Sequence, residues 1–282
     1  MIIWISSYPK SGNTWLRTLI SAYYYSDDGI FKEELLKNIT QFPDKFYFKD
    51  FDYNPSIVAD TSKFWIEAQK KINHDKKIRF FKTHNFYGSI NNINFTDKKN
   101  SLGCIYIVRD PRNVITSLKN HYELDYNEAL KFMLSEKKYL CDFRNPGNFS
   151  DFQFISSWEK NYQTWKYQKD FPVKIIRYED LLKDTNEVFR DLIKFINVLL
   201  ENNEAINEKK TKNVISSTTF EKLKNYEKNK GFNEAVLSKY EKKKVPFFNL
   251  GPKNNWNKIL NKDLQQDLFN IFSKNLIELG YS

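Results

Sequence analysis

Residues 1–16 read Met1-Ile2-Ile3-Trp4-Ile5-Ser6-Ser7-Tyr8-Pro9-Lys10-Ser11-Gly12-Asn13-Thr14-Trp15-Leu16. The apolar run breaks at a polar turn, and Trp15, Leu16, Leu19, Ile20, Tyr23 and Tyr24 then recur at helical spacing to about Tyr25. The reading is strand, phosphate-sized loop, helix, with the helix opening at Asn13 or Thr14. Lys10, Ser11, Gly12, Asn13 and Thr14 fall where an anion would meet a helix N-terminus. There, unpaired backbone N–H groups and the positive end of the helix dipole attract negative charge. Gly12 allows close backbone approach, and Lys10 adds a mobile cation. The nucleoside-triphosphate loop G-x-x-x-x-G-K-[ST] puts its lysine after the last glycine. Here Lys10 precedes the glycine and none stands upstream of it. The plain alternative is an ordinary turn that carries a lysine.

Composition bounds the rest. The 282 residues suffice for a substantial core, and 40% hydrophobic with 28% charged residues is a soluble globular balance. Aromatics reach 17%, which suits an aromatic-walled pocket but is read mainly as core. The net charge of +10 admits nucleic acid, a membrane surface or an anionic ligand. Lysines are interleaved with glutamates and asparagines, and the longest run is Lys242-Lys243-Lys244. That pattern reads as a solvated surface plus an anion site, not a nucleic-acid groove. Cys104 and Cys141 are too few and too far apart for a metal knuckle or a disulfide framework. Cys104 lies in an apolar run and reads as a core thiol. No basic leader precedes the first apolar run, and no stretch is long enough to span a membrane. A cytoplasmic protein is expected, with its oligomeric state left open.

Further elements follow in order. Residues 26–56 read as aromatic loop, with turns at Phe42-Pro43 and Asn54-Pro55; Ser56 to about Ile72 reads as helix. Strands are expected at Lys77–Lys82, Leu102–Val108 and Phe171–Tyr178. The second of these is almost continuously apolar, as a strand buried on both faces of a parallel sheet should be. Helices are expected over Pro111–Tyr122, Tyr126–Leu140, Asp151–Lys169, 185–200, 203–215, 218–226 and Lys262–Leu279, with a loop at Phe143–Asn148. Pro111 suits a first helical turn, where its missing N–H has no partner. Residues 227–255 are Lys/Asn-rich and aperiodic and read as a mobile lid. Strand–helix alternation predicts an α/β fold of three layers, a central parallel sheet with helices on both faces, in a single domain over 1–282. Right-handed crossovers put all strand C-termini on one edge, where such sheets bind ligands.

Tyr8 to Trp15 resembles the 5′-phosphosulfate loop of the cytosolic-type PAPS-dependent sulfotransferases (PAPS is 3′-phosphoadenosine 5′-phosphosulfate), matching over eight residues in order. That resemblance implies a P-loop-like fold and backbone contacts from residues 11–14 to the 5′-phosphate. A second segment, Tyr106-Ile107-Val108-Arg109-Asp110-Pro111-Arg112-Asn113-Val114-Ile115-Thr116-Ser117, resembles the family's 3′-phosphate motif, with Ser117 eight residues after Arg109. An arginine can fork onto two phosphate oxygens and a serine hydroxyl can complete the shell. The bland reading is a surface Arg–Asp pair beside a helix cap. In Phe81-Lys82-Thr83-His84 the resemblance implies a catalytic base at His84 and an assisting lysine at Lys82. Imidazole, with a reference pKa of about 6.5, suits proton removal from an attacking hydroxyl. Of the three histidines, at 74, 84 and 121, only His84 ends an expected strand.

Weaker matches are Tyr178 and Trp15 near the adenine and Thr218-Thr219-Phe220 as a Thr-Ser-Phe nucleotide segment. The departure is C-terminal. Where the family has Arg-Lys-Gly-x-x-Gly-x-Trp, this chain has Asn249-Leu250-Gly251-Pro252-Lys253-Asn254-Asn255-Trp256. Gly251 and Trp256 match; the arginine, the lysine and the second glycine do not. Lys253 or one of Lys242–Lys244 is the available substitute. The family's dimerisation motif is not apparent, and the chain opens at its first strand without the N-terminal extension of animal members. The resemblance implies sulfuryl transfer from PAPS to a hydroxyl acceptor, without a metal; the aromatic content of residues 26–56, the stretch after His84, 120–150 and 227–250 points to an apolar or phenolic alcohol, with a glycan hydroxyl the other class. His84 would act as base, and Lys10 and Lys82 would steady the transferred group. The alternatives are a non-catalytic PAP or PAPS binder and a small-molecule kinase on a related loop.

Overall fold

The computed structural model describes residues 1–281 except 143, 144, 146, 239 and 242. Part of the expected 143–148 loop and Lys242 of the lysine run therefore lie outside the described residues. The chain opens with strand β1 (Ile2–Ser6) and helix α1 (Asn13–Tyr25), followed by 3₁₀ turns and a two-residue strand β2 (Thr40–Gln41). Helix α2 (Trp65–Ile72), strand β3 (Arg79–Thr83), a small hairpin β4 (Ser89–Ile90) and β5 (Ile93–Asn94), and the long strand β6 (Ser101–Val108) come next. Helices α3 (Pro111–Tyr122) and α4 (Tyr126–Leu134) precede a second hairpin, β7 (Tyr139–Leu140) with β8 (Gln153–Phe154). Helix α5 (Trp158–Tyr167), strand β9 (Val173–Arg177) and helices α6 (Tyr178–Lys183), α7 (Thr185–Leu199), α8 (Glu208–Ser217) and α9 (Phe220–Lys230) follow. A 3₁₀ turn at Gly251–Lys253 leads to α10 (Trp256–Ile259) and α11 (Lys262–Glu278).

Five strands form one parallel sheet in the order β2-β3-β1-β6-β9. Strand β1 shows why it is central. Successive side chains of a strand point to opposite faces. Ile2 and Trp4 enter one core with Tyr106, Val108, Trp158, Tyr162, Trp165 and helix α11 residues. Ile3 and Ile5 enter the other with Ile105, Ile107 and residues of α1 and α7. All four β1 side chains are fully buried. Each contributes about 1.5–3 kcal/mol relative to exposure. The sheet is thus sandwiched, as the apolar runs predict, and Cys104 is a buried free thiol within it. Trp158, Tyr162 and Trp165 are also fully buried, so those rings are core.

Register fixes where chemistry can occur. Ser6 pairs with Thr83 and with Tyr106, and Val108 pairs with Arg177. The loops after β1, β3, β6 and β9 therefore leave from one edge. They carry Lys10, His84, Arg109 and Tyr178.

Several expected elements differ. Helix α2 begins at Trp65, not Ser56. Asp60 accepts from Asn54 N–H at 2.7 Å and the Asn54 side chain accepts from Ser56 N–H at 3.0 Å, so side chains compete for the backbone groups a helix needs. Ala59 is left-handed at φ 66°. Helix α4 stops at Leu134, and α5 starts only at Trp158, where Ser157 caps it. Between them β8 takes distant partners: Phe154 N–H donates to the Asn85 side chain at 2.7 Å, and Phe86 N–H to the Phe154 carbonyl at 2.9 Å. Helix α8 begins at Glu208, capped by Asn207, not at residue 203. Strand β9 starts at Val173, and α9 runs to Lys230, four residues beyond the expected 226.

Candidate active site

The turn after β1 is built on two left-handed residues, Lys10 at φ 64° and Gly12 at φ 103°. A Cβ on Gly12 would lie 2.6 Å from a ring carbon of Tyr178 and 3.2 Å from Ile107, so the position requires glycine. Helix α1 then opens with no side-chain cap on its first N–H groups. Asn13 spends its amide on the turn itself, donating to the Ile5 carbonyl at 3.0 Å and to Ser7 Oγ at 3.2 Å. Ser11 is fully buried and its Oγ has no partner, and Asn13 Oδ1 is likewise unpaired. An uncapped helix N-terminus beside Lys10 suits an anion.

His84 is anchored from three sides. Its N–H donates to Gln153 Oε1 at 2.8 Å, and its carbonyl accepts from Asn161 Nδ2 at 2.9 Å. Its ring Nδ1 lies 2.8 Å from the Ser7 carbonyl oxygen. A carbonyl can only accept, so Nδ1 carries the proton and Nε2 keeps its lone pair. Burial, with the nearby Lys82 charge second, pushes the His84 pKa down to about 3, so the ring is neutral at pH 7. Burial also lowers Lys82 and brings Lys10 down to about 7; Glu234 opposes both shifts, while Arg109 and Lys82 add to the lowering of Lys10. The Lys10 ammonium sits 3.9 Å from the centre of the Phe247 ring.

Arg109 leaves the end of β6 and is only 6% exposed. It donates to the Lys10 carbonyl at 3.2 Å and to Ser117 Oγ at 3.3 Å, stands 4.2 Å over the Tyr178 ring, and keeps Nε unpaired. Asp110 is not its partner. Asp110 caps α3 and pairs with Arg112, which stacks at 3.9 Å on Trp256. Arg109 therefore stays available to an anion. Trp15 donates to the Thr218 carbonyl at 3.0 Å and packs edge-on to Tyr178. Phe220 lies under Gly251, where a Cβ would come within 2.2 Å of its ring.

One cavity of about 1460 Å³ joins these groups. Lys10, Gly12, Asn13, Thr14, Trp15, Lys82, His84, Arg109, Ser117, Tyr178, Thr218, Thr219, Phe220 and Gly251 all line it; the buried Ser11 does not. Several residues were missed by sequence reasoning. His121 is buried, lines the same cavity and has an unpaired Nδ1. It follows Ser117 by one helical turn, a spacing that placed it on the same face. Glu234 accepts from Thr14 Oγ1 at 2.6 Å, pairs with Arg17 and lies 3.5 Å from Lys82 Nζ. Nothing local in the sequence brings residue 234 to residue 14. Asn254 bridges the Asn113 carbonyl at 2.9 Å and Ser117 Oγ at 3.1 Å, tying the altered C-terminal segment to α3.

Among the described residues no group of three or more His, Cys, Asp or Glu converges as a metal site, and no helix is long and apolar enough to cross a membrane.

The Sulfotransferase domain family matches residues 2–280. A luciferin sulfotransferase of Photinus pyralis is 26% identical over 279 residues, covering 92% of this chain and 67% of that one. Cytosolic sulfotransferase 13 of Arabidopsis thaliana is 25% identical, covering 97% and 76%. Among solved structures, mouse sulfotransferase SULT7A1 complexed with PAP superposes with a TM-score of 0.57 at 20% identity, covering 97% of this chain and 83% of that one. Retinol dehydratase in a complex with retinol and PAP gives 0.59 at 15%, covering 98% and 81%. These likenesses confirm the three-layer P-loop-like fold.

Asn161 joins His84 to the core: its Oδ1 accepts from Tyr106 at 2.6 Å, and its Nδ2 donates to the His84 and Ile155 carbonyls. Asn161→Leu strands all three buried partners and is expected to lower the unfolding free energy by about 2–4 kcal/mol in urea titrations. A loss below about 1 kcal/mol would contradict this anchoring role.

Proposed function

The chain belongs to the sulfotransferase domain family and is a PAPS-dependent sulfotransferase, and on that premise we propose that His84 is its general base toward a small hydroxyl acceptor. The observation that supports this most is the His84 ring. Its Nδ1–H is committed to the Ser7 carbonyl, which leaves Nε2 unprotonated in a residue that lines the same cavity as Lys10 and Lys82. Geometry and tautomer both suit a base.

In this reading the backbone N–H groups of residues 11–14 hold the 5′-phosphate. Lys10 and Lys82 face the transferred group and stabilise charge on it and on the bridging oxygen. The acceptor oxygen bonds to sulfur, its proton passes to His84 Nε2, the bond from sulfur to the bridging oxygen breaks, and PAP leaves. Catalysis is positioning plus electrostatics, as in phosphoryl transfer. Trp15, Tyr178, Thr218, Thr219 and Phe220 wall the adenine side, and segment 227–255 is the lid. Tyr122, Phe132, Leu140 and Phe247 also line the cavity, together with His121 and Lys138. That lining favours a ring-bearing or apolar alcohol. A cytoplasmic setting accords with the plant relative being named cytosolic.

The 3′-phosphate falls to Arg109 and Ser117. Lys243 pairs with Glu241, Lys244 donates to the Phe232 carbonyl, and Lys253 is exposed and does not line the cavity. None of these described lysines lines the cavity.

Three outcomes are expected. His84→Ala should lower turnover by roughly 10²–10⁴-fold while PAP binding, measured by calorimetry, stays as in the wild type; a fully active variant would remove the proposed base. The free-site Lys10 pKa of about 7 lies below that of a Lys10 facing bound anion. Binding above that pH must therefore take up a proton. PAP affinity should weaken steadily between pH 7 and pH 9, and Lys10→Arg should flatten the slope. Third, the double variant Asn249→Arg/Leu250→Lys should tighten PAP about tenfold and leave AMP, which lacks the 3′-phosphate, unchanged. Equal gains for both nucleotides would place those residues away from the 3′-phosphate.

A further inference from the structure

Glu234 is a carboxylate standing among groups suited to an anion. Its Oε2 accepts from Thr14 Oγ1, in the first turn of α1, at 2.6 Å. Its Oε1 accepts from Arg17 Nη1 and lies 3.5 Å from Lys82 Nζ. Burial pushes its pKa up, but Lys82 and Arg17 outweigh that and hold it well below the usual carboxylate range. The residue is therefore ionised, and the same donors cannot serve it and a phosphosulfate together. Like charges brought together in a site of low dielectric repel strongly.

The segment that carries the residue is joined to α9 through a glycine. Gly231 ends α9 at φ 77°, in open space, and Glu234 follows three residues later. The segment is fastened by Phe232 packing on Leu223 and Phe248, by Ser238 donating to Glu123 at 2.6 Å, and by the Glu234 contacts themselves.

We propose that Glu234 is a built-in competitor of the co-substrate. In the ligand-free enzyme it holds Thr14, Arg17 and Lys82, and PAPS gains them only when the carboxylate swings out with its segment. The inference rests on the PAPS reading of this site and adds a residue that sets co-substrate affinity. At rest Glu234 screens the crowded cations. After transfer it returns to the same donors and helps to displace PAP, a step of the kind that limits turnover in many enzymes.

Calorimetry with PAP on wild type and Glu234→Gln tests it. The amide keeps the shape and removes the charge. PAP should bind about tenfold tighter to the variant, and its thermal shift on PAP binding should grow. The ligand-free melting temperature should fall, because Arg17 and Lys82 lose their counter-charge. Unchanged or weaker PAP binding by a folded variant overturns the proposal. Should the variant not fold, hydrogen exchange on the wild type decides. Amides of 231–238 should exchange faster with PAP bound, and slower exchange overturns the proposal. Failure of both proteins to bind PAP would instead overturn the co-substrate reading.

Discussion

Lys10, Arg17, Lys82 and Arg109 crowd one edge of the sheet, and their mutual repulsion and desolvation are the constraint to which the rest of the site answers. Buried cations without partners are costly, and a protein meets that cost by pairing, by hydrogen bonding or by shifting pKa. All three responses are visible here. Arg17 takes the carboxylate of Glu234 and the Ile39 carbonyl. Arg109 takes the Lys10 carbonyl, Ser117 and the face of Tyr178. Lys10 lies over Phe247 with its pKa lowered to about 7. Such a site is under electrostatic tension until an anion enters, and that tension is a source of affinity.

The same constraint explains the rigid support beneath it. Charges that repel can be held close only by a framework that does not give way. Strand β1 supplies it, buried on both faces, and Gly12 seats the loop against Tyr178 with no room for a side chain. On the other side Asn161 links His84 to Tyr106, whose hydroxyl also accepts from Tyr8 N–H at 3.2 Å. The loop and His84 are thus fixed to one buried network, and satisfied buried networks of that kind rigidify the groups they join.

What the sequence revealed follows this division. The strand–turn–helix of residues 2–25, the capped start of α3 at Asp110-Pro111 and the strand ends at Thr83 and Val108 are local, and periodicity with turn chemistry finds them. Lys10, His84, Arg109 and Ser117 were legible because each sits at a fixed offset from such an element. The polar residues that complete the site were not. Gln153 and Asn161 reach His84 across 69 and 77 residues, and Glu234 reaches Thr14 across 220. Helical patterning over 151–157 was misleading for the same reason. Its partners, the Asn85 side chain and the Phe86 N–H, lie far away in the chain, and long-range pairing outweighed local preference.

The depressed basicity of His84 belongs to the same account. Three causes lower its pKa: burial first, then the positive charge of Lys82, then that of Arg17. The Ser7 carbonyl and Glu234 work against them. An anion bound among Lys10, Lys82 and the loop offsets the coulombic part, whereas the burial part persists as long as the cavity excludes water. The imidazole therefore gains basicity when negative charge arrives, and it is least basic when the site holds cations alone. An imidazole held in this way stays neutral over a wide pH range. Its basicity is highest when an anion occupies the loop, so charge complementarity at the loop and the basicity of His84 are two effects of one arrangement of cations.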